Sequence, residues 1–365
     1  MPESRWDASG ILERHKAFWN MEDVEKPLLR ITRYRRTGFG QPRSSMRLPL
    51  ADGTMAQDDV FYLEPEVLSP EVLSPMDERP SAVPATSGDV IPVLAPYTKV
   101  PWMEAIIGCP IRVSLQSSSM WSEPALGADW YRDYRPLKLN DGWVKKLLEF
   151  TEYLSANSRG GYQVPNTLMR GPSDMVDALI GEENLCLGIY EHPNEFHELM
   201  MLCADVFIEI ANAQLDRISS FNEGYCNLFG IWAQGSSIRT QDDASALVSP
   251  VDYKEFMLPS QEYIASNFGY YTIHLHSNSL HVVDSVINST INAVQVSIDP
   301  QPYGPSVPEL IPIFVKMQEK KPILIEGPMT QWEFDKLLGT LSPKGLYVWA
   351  MIESEDDRER RKSYS

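Results

Sequence analysis

Three of the chain's six histidines fall in the eleven residues 271–281, YTIHLHSNSLH, and one leucine separates His274 from His276. Residues i and i+2 of a β-strand face the same way. A strand here therefore presents two imidazoles on one side. Such a pair can hold a metal ion, relay a proton, or sit in a core with its nitrogens satisfied by backbone; the spacing leaves these open. Catalytic zinc takes three protein ligands and a water, from His, Cys or carboxylate donors. Glu326, in LIEGP, is the preferred third ligand beside His274 and His276. Asp299, in SIDP, is expected either in catalysis or behind an imidazole as its orienting carboxylate. Glu353, after YVWAMI, extends the series to a fourth strand end. His281 reads as a surface residue of the next helix, and His197 as a surface or packing residue of its own helix.

Two further stretches carry chemistry-bearing residues. GIWAQGSSIRTQDDASALVSP places Trp232 at the end of an apolar run, then Arg239, Asp242 and Asp243. Asp243 is expected as an acid, base or orienting group, and Trp232 and Arg239 as substrate contacts. Asp242 reads more simply as the cap of a short helix. PNTLMRGPSDM adds Asn166 and Arg170 as substrate contacts, with Asp174 in a first helical turn.

The elements that position these residues alternate. YYTIHLH, NAVQVSI, PILIEG and GLYVWAMI read as strands. SLHVVDSVI, SVPELIPIFVKMQEK and TQWEFDKLLGT read as helices between them. Two of these helices open on capping boxes, Ser306-x-x-Glu309 and Thr330-x-x-Glu333. Residues 193–216 form the clearest helix, with Pro193 at its first turn. Ser249 and Pro250 start another. Near-continuous apolar strands with short connections indicate a parallel α/β sheet buried on both faces. No G-x-G-x-x-G turn follows a strand, which disfavours a dinucleotide fold. The expectation is a (β/α)8 TIM-type barrel over 111–353, with catalytic groups at the strand C-termini. Residues 1–110 read as a helix and an irregular Pro-rich extension packed on the barrel; nine of the 28 prolines lie from Pro65 to Pro110. The repeat EVLSPEVLSP within it is too short to make a solenoid. Residues 354–365 read as a charged tail.

Bulk properties narrow the function. Among 365 residues, 32 Lys and Arg face 50 Asp and Glu, a net charge of −18. Such a surface repels nucleic acid and anionic membranes. The four cysteines, Cys109, Cys186, Cys203 and Cys226, form no C-x-x-C pair and read as free thiols of a cytoplasmic protein. No apolar run has the length of a membrane helix.

GPSDMVDALIGEENLCLGIYEHPNEFHELM, TQDDASALVSPVDYKEFMLP and HLHSNSLHVVDSVINSTINAVQVSIDP, in this order, resemble the uroporphyrinogen decarboxylase superfamily. That superfamily joins tetrapyrrole decarboxylases to zinc-dependent methyltransferases that work with corrinoid proteins. The resemblance covers roughly the last two-thirds of the chain and implies the same barrel. The decarboxylases' N-terminal MRQAGR-like motif is absent; the region reads PLLRITRYRRTGFG, a basic patch of Arg30, Arg33, Arg35 and Arg36. The methyltransferases bind zinc through His-x-Cys and a later cysteine. Here His276 stands at the first cysteine's place, and no cysteine follows Cys226. An imidazole and carboxylate site is the form left, with a harder ion suited to oxygen, nitrogen or water.

The function expected is thus transfer of a methyl group between a small methylated substrate and a corrinoid protein, with zinc on His274, His276 and Glu326. The alternatives are a metal-free decarboxylase using Arg30, Arg33, Arg170 and Arg239, or a non-catalytic ligand-binding barrel. Expected partners are a small-molecule substrate, a corrinoid protein over the barrel mouth and a second copy in a homodimer, without nucleic acid or membrane.

Overall fold

The computed structural model describes residues 8–34, 45–74 and 89–353. Arg35, Arg36 and the tail 354–365 lie outside them. Among the described residues twelve strands follow in chain order. The first six are β1 (Leu28–Tyr34), β2 (Val60–Tyr62), β3 (Ile111–Ser114), β4 (Ser119–Ser122), β5 (Met169–Arg170) and β6 (Gly224–Cys226). Then come β7 (Trp232–Gln234), β8 (Ser237–Gln241), β9 (Tyr270–His276), β10 (Ala293–Ser297), β11 (Ile323–Met329) and β12 (Leu346–Glu353).

Seven of these form one parallel sheet in the order β1-β12-β11-β10-β9-β8-β5. Neighbours in the sheet are neighbours in the sequence, and the first strand lies beside the last, which is barrel order. The ladders of the described residues run from β1 to β5 without pairing those two. β2, β3 and β4 form a separate antiparallel sheet, and β6 pairs with β7 as a hairpin. Thus β1 carries the N-terminal segment into the main sheet, and β2 pairs with β3 across residue 110.

Helices fall where the sequence places them. Pro193–Leu215 has its proline in the first turn. Both capping boxes form, on Ser306 with Glu309 and on Thr330 with Glu333. The Ser249 hydroxyl accepts from the Asp252 amide. Residues 225–235, YCNLFGIWAQG, read in sequence as a single strand, and the structure corrects this. Residues 225–235 make the β6–β7 hairpin, because Asn227 Oδ1 accepts from the amides of Phe229 and Ile231 and turns the chain. The next strand is β8, SIRTQ, whose polar residues disguise it. Its Arg239 and Gln241 face a polar interior, so the apolar run expected of a buried strand is missing.

The sheet's two faces differ. Ile273, Leu275, Val294, Val296, Ile323, Ile325 and Val348 pack in one core with Leu310, Phe314 and Leu337 of the helices. On the other face the strand starts are apolar: Leu28, Ala293, Leu324 and Tyr347 cluster with Trp19 and Phe229. The strand ends on that face are polar. Register explains which polar groups meet. Gln241, His274 and Gln295 occupy one row across β8, β9 and β10. His276, Ser297, Glu326, Trp349 and Arg30 occupy another, across β9, β10, β11, β12 and β1.

His15, on the helix Ala8–Trp19, closes the apolar end. Its Nε2 donates to the Asp89 carbonyl at 2.8 Å, and its Nδ1 accepts from the Trp232 amide at 2.9 Å. Burial lowers its pKa to about 4, since a second ring proton would face the Trp232 N–H. The folded value lies below the unfolded 6.5, so the stability it contributes is complete above pH 6.5 and lost as pH falls toward 4. The loss amounts to about 3 kcal/mol. A His15→Gln variant should lose correspondingly less stability between pH 7 and pH 4.5 in urea unfolding. Equal losses in the two proteins would refute this.

Candidate metal centre

Three side chains from two strand ends converge. Asp243 lies two residues beyond β8, and His274 and His276 end β9. One ligand atom from each lies within 4.8 Å of the others. His274 Nε2 is 3.6 Å and His276 Nε2 is 3.7 Å from Asp243 Oδ1. These separations are too long for hydrogen bonds. They lie near the spacing of about 3.3 Å between ligand atoms tetrahedrally placed on zinc.

The remaining nitrogens are engaged. His276 Nδ1 donates to Asp299 Oδ1 at 2.7 Å. Asp299 is itself held by the Ser277 hydroxyl at 3.0 Å and the Asn278 amide at 3.2 Å. His274 Nδ1 meets Gln295 Oε1, which also accepts from Arg239 Nη2 at 2.9 Å and Nε at 3.2 Å. Asp243 Oδ2 accepts from Gln241 Nε2 at 2.5 Å, whereas its Oδ1 is buried without a hydrogen-bond partner. Two imidazoles with their Nδ1 atoms engaged and an orphaned carboxylate oxygen facing both Nε2 atoms form a donor set that fits a divalent ion. Burial, aided by Arg239 and His276, holds His274 well below the ordinary imidazole range and keeps it neutral, as a ligand must be.

The carboxylate facing both imidazoles is Asp243 rather than Glu326, the residue preferred from sequence. Glu326 lies beyond Ser297 in the row that His276 starts, outside the group of three. Burial raises its pKa, against the pull of Arg239, His276 and Arg30. Asp299 stands behind His276. The side chain of Glu353 lies outside the described residues.

The substrate-contact candidates disperse. Arg170 pairs with buried Glu104 at 2.7 Å. Asn166 is buried and donates to the Ala211 carbonyl at 3.0 Å. Trp232 is 2% exposed, bonded to the Phe221 carbonyl and packed with Leu12, Ile91 and Cys226, ahead of β8 rather than at its end. Arg239 is buried under the histidines. Of the other arginines a decarboxylase would recruit, Arg30 stacks over Trp349 at 3.8 Å and Arg33 is exposed. His281 donates to the Val248 carbonyl at 2.9 Å.

Asp242 caps no helix with its side chain. It is fully buried and accepts from the Ser173 hydroxyl, and from the Tyr253 hydroxyl at 2.9 Å. Neighbouring Asp174 takes the Ala244 amide at 2.8 Å, and burial beside Asp243 and Asp242 raises its pKa far above the carboxylate range. These bonds anchor the loop carrying Asp243. Sequence reasoning missed Gln241 and Gln295. The signal for Gln295 was present: it is the one polar residue inside AVQV.

The fold and site together describe an α/β protein with a parallel sheet and a His-His-Asp cluster at its strand ends. No protein-family model matches the sequence, and no curated protein matches it. Solved structures do match. One is a methyltransferase from Methanosarcina mazei, with a TM-score of 0.60, 14% identity, and coverage of 97% of this chain and 98% of that one. At that identity the likeness is one of fold. Among the described residues no helix is long and apolar enough to cross a membrane.

Proposed function

We propose that the chain is a metal-dependent methyltransferase acting on a small methylated substrate, with zinc held by His274, His276 and Asp243. The observation that carries the metal is the buried, unpartnered Asp243 Oδ1 facing two imidazole Nε2 atoms. Methyl transfer is supported by the sequence resemblance and by the likeness in fold to a methyltransferase. Together with the strand order, that likeness also supports reading the sheet as a (β/α)8 barrel. The convergence of the three side chains favours an enzyme over a non-catalytic barrel.

Two neutral nitrogens and one carboxylate leave the ion harder than a thiolate site would. When bound, zinc supplies a Lewis acid for a substrate oxygen or nitrogen, so a methoxy compound or a methylated amine fits better than a thiol. Asp299 holds the His276 ring with Nε2 turned inward. Gln241 holds Asp243 by Oδ2 and leaves Oδ1 free. Glu326, kept toward its protonated form by burial, stands on the same face and serves as proton donor to the departing oxygen or nitrogen. The methyl acceptor in this reading is a corrinoid carried by a protein docked over the strand C-termini.

The test supplies reduced cobalamin as acceptor to the zinc-loaded protein, with methoxyaromatic and methylamine substrates in turn. Substrate-dependent formation of methylcobalamin is expected with one class. Zinc-loaded protein that forms none with either would end the methyltransferase proposal.

A further inference from the structure

Arg239 and Gln295 bear on the more buried imidazole. A guanidinium can only donate hydrogen bonds, and an amide group offers one accepting atom, its oxygen. Arg239 Nε and Nη2 both reach the same atom of Gln295, at 3.2 and 2.9 Å. That atom must be the oxygen, whichever way the amide is drawn. His274 Nδ1 meets the same oxygen. It must therefore carry the ring proton, and the His274 Nε2 lone pair is left pointing at Asp243.

We infer that Arg239 and Gln295 form a tautomer lock: the arginine fixes the amide, and the amide fixes His274 in the form with its proton on Nδ1. Both are positioning residues, and the lock deepens the metal-site reading on which it rests. The two imidazoles are thereby held differently. His276 leans on a carboxylate, Asp299, and His274 on a neutral amide whose oxygen a buried cation already polarises. The amide gives the fixed tautomer without adding a negative charge beneath the site. Arg239 itself is 7% exposed, and the charges that favour its cationic form against burial are those of Glu326, Asp243 and Asp174. Gln295 meets both Arg239 and His274 because β10 sets it level with His274.

The test has two parts. First, long-range proton–nitrogen spectra of metal-free protein labelled with ¹⁵N-histidine report the tautomer directly. The wild type should show His274 protonated at Nδ1, and Arg239→Met and Gln295→Leu should shift the ring toward the Nε2–H form. Second, zinc titrations should show Gln295→Leu binding about 10–100-fold more weakly, the usual cost of losing such a partner. Gln295→Glu keeps an acceptor and should bind at least as well as wild type. Damage to packing alone would weaken both variants alike. A wild-type His274 protonated at Nε2 overturns the lock even if the variants do not fold. So does a tautomer indifferent to both substitutions. A wild type locked at Nδ1 that binds no zinc upholds the lock and sinks the metal reading instead.

Discussion

Zinc bound to the purified protein should drop from one equivalent to a trace when His276 is replaced by alanine. Asp243→Ala should do the same, and Glu326→Gln should not. Each of the first two substitutions removes one of three donors, so the loss in affinity should exceed the 10–100-fold that follows loss of an outer partner. The three variants separate two ligand sets. If Asp243 completes the site, its carboxylate is indispensable and that of Glu326 is not. Zinc retained by Asp243→Ala and lost by Glu326→Gln would restore the ligand set drawn from sequence. Thermal unfolding gives an independent measure, because an ion that binds only the folded chain stabilises it by about 2.7 kcal/mol at a hundredfold excess over Kd. The wild-type midpoint should rise with zinc, and that of His276→Ala should stay where it is.

Asp242→Ala should be the most damaging single change near the site, lowering folding stability by about 3 kcal/mol or more. The estimate follows from what the carboxylate holds. The Ser173 and Tyr253 hydroxyls both donate to it, and all three side chains are buried. Removing the acceptor leaves two hydroxyls without partners, each costing about 1–3 kcal/mol. Asp242→Asn retains one oxygen and should cost markedly less. Urea midpoints of the two variants would measure the difference, and equal, small shifts would show that the bonds contribute little. Because the next residue is Asp243, Asp242→Ala should weaken zinc binding as well, through displacement of a loop rather than loss of a donor.

The sequence identified the elements whose causes are local. Capping boxes at Ser306 and Thr330 mark helix starts because the reciprocal bonds lie within four residues. His274 and His276 share a face because a strand repeats every two residues, and no distant contact is needed to know it. The placement of Asp299 near an imidazole was also legible, since it follows the strand after theirs by two residues. β8 was not legible. SIRTQ lacks the apolar run that marks a buried strand, because one of its faces meets polar groups supplied by other strands.

The choice between Asp243 and Glu326 belonged to the tertiary structure. Asp243 follows β8 and Glu326 lies inside β11, three residues before its end; both are carboxylates, and composition cannot rank them. Parallel pairing of β8 with β9 sets Gln241 level with His274, and the chain then turns so that Asp243 faces both rings. Pairing of β9, β10 and β11 sets Glu326 two strands from His276. Gln295 meets His274 by the same registers. Sequence periodicity states which side a residue faces; which residue faces it from the next strand depends on long-range pairing, and that is decided only when the sheet assembles.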